Sequence, residues 1–446
     1  ASHAFLFESM EGGEKWGRYS FIGLDPLVTF TSVRDQVRME HPGRAGGVVE
    51  LDGVDPLAEL RTLLASFAVS TAPGLPRFYG GAVGFLGYDM VRFMERLPDR
   101  HPPLDLPDSA FMVPGLVLIH DAVQQSLTIV CNAWARPGAD AEALYARSCE
   151  RIEAIVRRLE GPLPAACRER KPTEPHRFSS NMDRDSFAAM VERAREYIRA
   201  GDIIQVVLSQ RFHTETGLEP FTLYRALRHI NPSPYLFYLR QGDLVQIGSS
   251  PEILVRLEEG EIELRPIAGT RKRGATGAED RALEDELLAE HLMLVDLGRN
   301  DVGRVAAPGS VTVRDLLVIE RYSHVMHIVS GVHGRLAPGL DQFDVLAACF
   351  PAGTVSGAPK IRAMEIIDEL EVARRGPYAG AVGYFGFSGN MDFCITIRTI
   401  ILRGRDLWIQ AGAGIVADSD PQTEYEETIN KAMGLRRAVE LAEKGL

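Results

Sequence analysis

Across 446 residues the chain has only five cysteines, an odd number with no C-x-x-C pair. A disulfide framework is therefore not expected, and a reduced, cytoplasmic protein is the simplest reading. No apolar run approaches the roughly 20 residues a membrane-spanning helix requires. The opening residues, ASHAFLFES, carry neither a basic region nor a long apolar core, so no signal peptide is expected. Positive charge is also in short supply. Lys and Arg total 49 against 61 Asp and Glu, a net charge of -12. That argues against nucleic acid and anionic membranes as partners. An anionic substrate would have to be met by local cations or a metal.

What is present is an ordinary globular composition, 45% hydrophobic and 25% charged, with a length that suggests about two or three domains. Residues 1–130 read as short strands punctuated by glycine: FLFES, WGRYSFIGLDP, VTFTSV and RFYGGAVGFLGYD. A helix is expected over 139–159. The Pro-, Arg- and Lys-rich stretch 160–177 reads as a linker. The boundary is placed there, giving an N-terminal region 1–160 and a second region 178–446. Gly80–Asp89 (GGAVGFLGYD) echoes Ala379–Ser388 (AGAVGYFGFS), which suggests that each half gives a similar strand to one larger sheet assembly.

In the second region a helix over 182–200 ends at Gly201, and a strand follows over 203–212 with Gln205, Val207 and Ser209 on one face. Residues 248–270 form a hairpin turning at 258–260, which brings Glu252 toward Ile267, Gly269 and Thr270. A helix over 280–297 carries a leucine stripe interrupted by Glu290. A buried carboxylate there needs a metal ion, an Arg or a raised pKa. In FCITIRTI the period of two puts Arg398 on a sheet face. A second strand, 406–410, is expected to run into a glycine turn at Gly412-Ala413-Gly414. Asp420 and Pro421 then open a helix on which Glu424, Glu427 and Lys431 share a narrow face.

Two nucleotide motifs are rejected. Gly412, Gly414 and Ala417 spell G-x-G-x-x-A, but Asp418-Ser419-Asp420-Pro421 puts acid where a pyrophosphate would sit. GTVSGAPK lacks the G-K-[ST] of a phosphate loop. Two glycines with bare amides can still hold a small carboxylate. Read from residue types alone, each remaining candidate has a plain alternative. Glu424 and Glu427 could be a solvated first turn, Arg398 a cross-strand ion pair, Glu252 a surface carboxylate and His327 a satisfied core histidine.

GPYAGAVGYFG (376–386), CITIRT (394–399), QAGAGIV (410–416) and PQTEYEETINKA (421–432) together resemble the C-terminal half of the chorismate-utilising enzymes, and the resemblance extends over nearly all of the chain. It implies an α+β fold, with antiparallel β-sheets packed face to face and helices outside. It implies Mg²⁺ held by Glu290 and Glu427, with Glu424 nearby through water, to bind the ring carboxylate of chorismate. Arg398, Lys431, Tyr378 and the Gly412, Ala413 and Gly414 segment would take the substrate's carboxylates, with Gly269 and Thr270 also at the substrate. Glu252 would be the acid that helps the C4 hydroxyl leave. His327 would stand in the active site, and His324 would be structural.

Two positions discriminate within that family. Water-adding members carry a Lys where this chain has Gln205, and a neutral amide cannot be that base. A Lys nucleophile occupies the third position of P-I-x-G-T in members that make 4-amino-4-deoxychorismate, where this chain has Ala268. Ammonia adding at C2, with anthranilate as product, is therefore expected. Ser9, with Pro234, Tyr235 and Leu236, resembles the family's tryptophan-inhibitor pocket. No Cys stands in a G-x-C-x-G elbow, so glutamine-derived ammonia would come from a separate amidotransferase subunit. The alternatives are an enzyme stopping at an aminated chorismate and a tryptophan-binding regulatory subunit without activity.

Overall fold

Alternating apolar residues and tight polar turns make strand the main regular element of this chain. A computed structural model describes residues 2–10, 18–42, 47–70, 74–135, 138–162, 176–272, 291–321 and 325–445; the side chains of 268–272, 319–321 and 325–327 are outside that description. The strands are β1 (His3–Glu8), β2 (Tyr19–Val33), β3 (Gln36–Glu40), β4 (Val48–Leu51), β5 (Gly81–Leu86), β6 (Ser109–Asp121), β7 (Ser126–Cys131), β8 (Ser179–Ser180), β9 (Gln205–Glu215), β10 (Tyr235–Gln241), β11 (Leu244–Ser250), β12 (Ile253–Glu258), β13 (Glu261–Leu264), β14 (Ile267–Lys272), β15 (Thr312–Arg321), β16 (Val325–Arg335), β17 (Gly357–Ala358), β18 (Ala381–Gly386), β19 (Met391–Ile395), β20 (Thr399–Arg403) and β21 (Asp406–Ile415). The helices are α1 (Pro56–Ala65), α2 (Ala141–Glu160), α3 (Arg184–Arg199), α4 (Pro220–Ile230), α5 (Gln342–Cys349), α6 (Lys360–Leu370) and α7 (Pro421–Lys444). Residues 291–303 are also helical.

Every pairing along the main ladder is antiparallel. It runs β9–β21–β20–β11–β10–β1–β2–β6–β5–β18–β19–β12–β13–β16. The two echoing segments are neighbours in it, with Gly84 of β5 opposite Gly383 of β18. The sheet curls so that its two wings face each other. Phe237, Leu244 and Ile401 of one wing meet Phe85, Val382 and Cys394 of the other. Each fully buried phenylalanine there contributes roughly 1.5–3 kcal/mol. Outside, α4 and α7 cover β20 and β21 through Leu227, Leu435, Ile400 and Ile409. A third core joins Phe187 of α3, Phe343 of α5 and Ile367 of α6 to Phe385 and Phe393. The fold is therefore mixed α and β, with antiparallel sheet inside and helices outside.

Two links cross between the wings, and they position the site. β11 lies between β10 and β20, whereas β12 lies between β13 and β19. The chain thus changes wing within Pro251-Glu252, and it changes back at residues 396–398. The links lie side by side: the Ile395 amide donates to the Glu252 carbonyl at 3.1 Å, and the Ser249 amide donates to the Arg398 carbonyl at 3.1 Å.

The crossover corrects the expectation of one strand through FCITIRTI. β19 stops at Ile395 and β20 starts at Thr399. Arg398 sits in the link with a left-handed φ of 51°. Glycine turning at 412–414 is corrected too, because β21 continues through both glycines to Ile415. The turn of the β12–β13 hairpin falls where expected, with Glu259 and Gly260 both at positive φ, as a two-residue turn between twisted strands requires. Of the helix expected over 280–297, residues 280–290 lie outside the described residues. Among those described, no helix is long and apolar enough to cross a membrane.

Candidate active site

The ladder itself prepares a carboxylate-sized gap. Gly412 pairs with Ser209 and Gly414 with Val207. The Ser209 amide donates to Glu371 at 2.9 Å and the Val207 amide to the Ser356 carbonyl at 2.9 Å. Both point away from β21, so these are the non-hydrogen-bonded pairs of the ladder. The Gly412 and Gly414 amides consequently point away from β9 as well. On that side β20 has already ended, since it starts only at Thr399. The two amides face the space beside the 396–398 link.

Positive charge lines the same space. Lys431, one turn after Glu427 on α7, donates from Nζ to the Gly412 carbonyl at 3.0 Å and pairs with Glu427 at 2.5 Å. Arg398 donates from Nη1 to the Lys431 carbonyl at 2.9 Å, which leaves further guanidinium N–H groups for a ligand. Burial pulls the Arg398 pKa down, against the Tyr378 hydroxyl and the Glu427 charge nearby. A guanidinium still stays protonated in proteins. A Cβ built on Gly412 would come within 2.7 Å of the Tyr378 hydroxyl, and one on Gly414 within 2.5 Å of Gln205 Nε2. Both glycines are therefore bare because side chains crowd over them. Gln205 is buried, and its Oε1 has no hydrogen-bond partner among the described residues.

Glu252 is the buried acid of this group. Burial raises its pKa to about 8, partly offset by the Thr354 hydroxyl, the Ile267 amide and the Lys431 charge. A carboxyl held in that state is a proton donor near neutral pH. A small cavity of about 30 Å³ lies against it, lined among others by Leu294, Leu297, Asp301 and Thr354. Thr354 was not singled out from the sequence. Nothing in GTVSGAPK distinguishes it until the turn at Gly353–Val355 is seen to close on Glu252.

Across the β14–β16 register, Ala268 stands opposite Ile328 and Arg271 opposite Met326. Gly269 and Thr270 thus bulge opposite His327, whose main chain is there; its side chain, like those of Gly269 and Thr270, is outside the described residues. Glu290 and His324 lie outside them altogether. The structure therefore brings Glu252, Gln205, Tyr378, Arg398, Gly412, Ala413, Gly414, Glu427 and Lys431 to one place. Glu424, one turn before Glu427 on α7, is half-buried. Carboxylates of this kind are hard oxygen donors that suit Mg²⁺. Among the described residues no group of three His, Cys, Asp or Glu is placed to hold a metal, so α7 offers one side of such a site.

A separate group forms where β1 meets β10, whose Tyr235 stands opposite Ser250 at the end of β11. Glu8 of β1 pairs with Leu236 of β10, and the Met10 amide donates to the Ser233 carbonyl at 3.1 Å. This brings Ser9 against Pro234 and Tyr235. Leu236 packs outward into the core under α4 and α7. Tyr235 faces the other way, and its hydroxyl donates to Asp392 Oδ1 at 2.9 Å.

Between the facing wings a buried carboxyl with a raised pKa, two cations and bare strand amides lie together, an arrangement suited to an anionic ligand. The chain belongs to the chorismate binding enzymes: that family matches residues 3–437. It is 50% identical over 445 residues to anthranilate synthase component 1 of Cereibacter sphaeroides, covering 98% of this chain and 89% of that protein. Against anthranilate synthase component 1 of Aquifex aeolicus it is 50% identical over 448 residues, covering 98% and 90%. The structure of anthranilate synthase component I from Streptococcus pneumoniae TIGR4 superposes with a TM-score of 0.80 at 39% identity, covering 96% of this chain and 95% of that one.

One consequence concerns the strand amides. Gly414→Ala is expected to fold, because the added methyl meets only the movable end of Gln205. It would crowd the ligand's place, and kcat/KM for chorismate should fall at least about tenfold, as small misplacements at a site do. Steady-state kinetics beside a thermal melt checks this.

Proposed function

We propose that the chain is the synthase component of anthranilate synthase, converting chorismate and ammonia to anthranilate, pyruvate and water. The observation that carries this is Glu252, a buried carboxyl whose pKa burial raises to about 8, held beside the bare strand amides and the two cations. Arg398, Lys431, Tyr378 and the Gly412 and Gly414 amides hold the substrate's carboxylates. Mg²⁺, when bound by Glu290 and Glu427 with Glu424 close by, supplies positive charge for the ring carboxylate. Glu252 gives its proton to the C4 hydroxyl, which leaves as water while ammonia bonds to C2, both ring double bonds shift, to C1=C6 and C4=C5, and the added nitrogen gives up a proton. The C2 proton is then lost, the enolpyruvyl ether breaks, and pyruvate departs as the ring becomes aromatic.

Gln205 supports ammonia over water as the nucleophile. It is no base, and its open Oε1 can accept an N–H from ammonia. His327 completes the site. The ammonia derives from glutamine on a separate amidotransferase subunit, anthranilate synthase component II, in the cytoplasm. The isolated chain supplied with chorismate, Mg²⁺ and ammonium should develop anthranilate fluorescence that EDTA abolishes. Chorismate consumed without fluorescence would contradict the assignment in favour of an aminated intermediate or the para isomer.

Tryptophan, in this reading, inhibits by binding at Ser9, Pro234, Tyr235 and Leu236. Tyr235 touches the buried Arg256–Asp392 pair, in which Nη2 and Oδ2 are 2.8 Å apart. Those residues stand on β12 and β19, whose ends carry Glu252 and the Arg398 link. Tryptophan is expected to lower the initial rate in a titration, and Ser9→Leu to blunt the effect. Unchanged rates at millimolar tryptophan would sink the idea.

A further inference from the structure

Beneath the proposed site lies a charged pair to which the proposed chemistry gives no role. Arg375 and Glu371 are both almost fully buried. Arg375 Nε donates to Glu371 Oε2 at 2.9 Å and Nη2 to Oε1 at 2.6 Å. Such two-pronged pairs fix orientation as well as charge. Two of the three remaining N–H groups are also used. Nη1 donates to the Val355 carbonyl and Nη2 to the Val207 carbonyl, each at 2.7 Å. The guanidinium stands over the Tyr378 ring at 5.6 Å and the Tyr88 ring at 4.7 Å. Glu371 in turn accepts from the Ser209 amide at 2.9 Å and the Ser209 hydroxyl at 2.8 Å.

These partners are not scattered. Val207 and Ser209 are the β9 residues opposite Gly414 and Gly412, and the pair takes up groups on the edge of β9 away from β21. Val355 ends the turn that puts Thr354 against Glu252. Tyr378 is three residues beyond Arg375. One ion pair therefore contacts the strand behind the glycine amides, the turn behind the acid, and the ring of the tyrosine.

We propose that Arg375, locked by Glu371, is a positioning residue that sets the mutual geometry of Tyr378, the Gly412–Gly414 strand and the Glu252 pocket for substrate binding. This rests on the reading of those groups as the substrate's contacts. A mere fold-stabilising pair would affect how much protein is folded. A positioning pair affects how each folded molecule binds.

Arg375→Lys separates the two. It keeps the buried positive charge opposite Glu371, but a point charge cannot form the fork and reach both carbonyls. The expected result is a retained cooperative melt with KM for chorismate raised about tenfold or more, since displacement of binding groups costs affinity. The effect should also be coupled to Tyr378. In a double-mutant cycle, Tyr378→Phe should cost clearly less in the Arg375→Lys background than in the natural chain. Unchanged KM, or additive effects of the two substitutions, overturns the proposal. Should Arg375→Lys not fold, Glu371→Met with Arg375→Met replaces the pair by apolar side chains, a change often tolerated by buried ion pairs, and is held to the same KM and coupling criteria. If the natural chain itself does not turn over chorismate with ammonium, or Tyr378→Phe alone has no effect, the functional reading beneath the proposal has failed, a result distinct from additivity in an active enzyme.

Discussion

Glu252→Gln is expected to lower kcat by about 10²- to 10⁴-fold, the usual contribution of a positioned general acid. The substitution keeps the volume and removes the proton. The pH profile gives a second signature. With a pKa of about 8, Glu252 carries its proton below that pH and loses it above. kcat should therefore fall on the alkaline side, and that limb should vanish in the variant. The stability signature has a definite sign. The folded-state pKa is raised from an ordinary 4.5 to about 8, so the folded protein binds the proton more tightly than the unfolded chain. The stability this provides is complete below about pH 4.5 and is lost as pH climbs through about 8. Glutamine has no such loss. The variant should melt higher than the natural chain at pH 8, with the difference closing near pH 4.5. A variant that is fully active, or one whose stability relative to the natural chain is the same at both pH values, would remove Glu252 from its role.

Arg398→Met should lower kcat/KM for chorismate by about 10²- to 10³-fold, the loss of two hydrogen bonds to a charged group. Lysine at this position should restore little, because an ammonium cannot make the planar fork. Binding of Mg²⁺ measured by calorimetry should persist in Arg398→Met, since the α7 carboxylates are untouched. The left-handed backbone at Arg398 adds a structural point. A non-glycine residue there costs roughly 1–2 kcal/mol, a strain of the kind that gathers at functional positions. Near-natural kinetics in the methionine variant would show that Arg398 serves the crossover rather than the ligand.

The parts of this account that were legible beforehand rest on local chemistry. The Glu259-Gly260 turn and the helix opening at Asp420-Pro421 are short-range signals, and they placed the hairpin near Glu252 and the face of Glu427 and Lys431. The resemblance of four glycine- and charge-rich segments supplied the ligand groups. Long-range geometry was not legible. Ile395, Thr396, Ile397 and Arg398 alternate like a strand, but the chain changes wing there, and only the pairing of β19 with β12 and of β20 with β11 shows it. Gly412 and Gly414 read as a turn because glycine usually marks one. In fact they are strand residues kept bare by Tyr378 and Gln205 from elsewhere in the chain. Glu371 and Arg375 stand in a run of charged residues in which nothing local signals burial. Their burial depends on β9, more than 160 residues earlier in the chain.

The central claim is that this cleft joins ammonia to chorismate at C2 and releases pyruvate. The most direct measurement supplies the isolated chain with chorismate, Mg²⁺ and [¹⁵N]ammonium and follows the mixture by NMR. The account predicts ¹⁵N-labelled anthranilate with the label on the ring carbon next to the one bearing the carboxylate, and pyruvate in equal amount. An unlabelled hydroxylated product, label at C4, or chorismate left intact would contradict it.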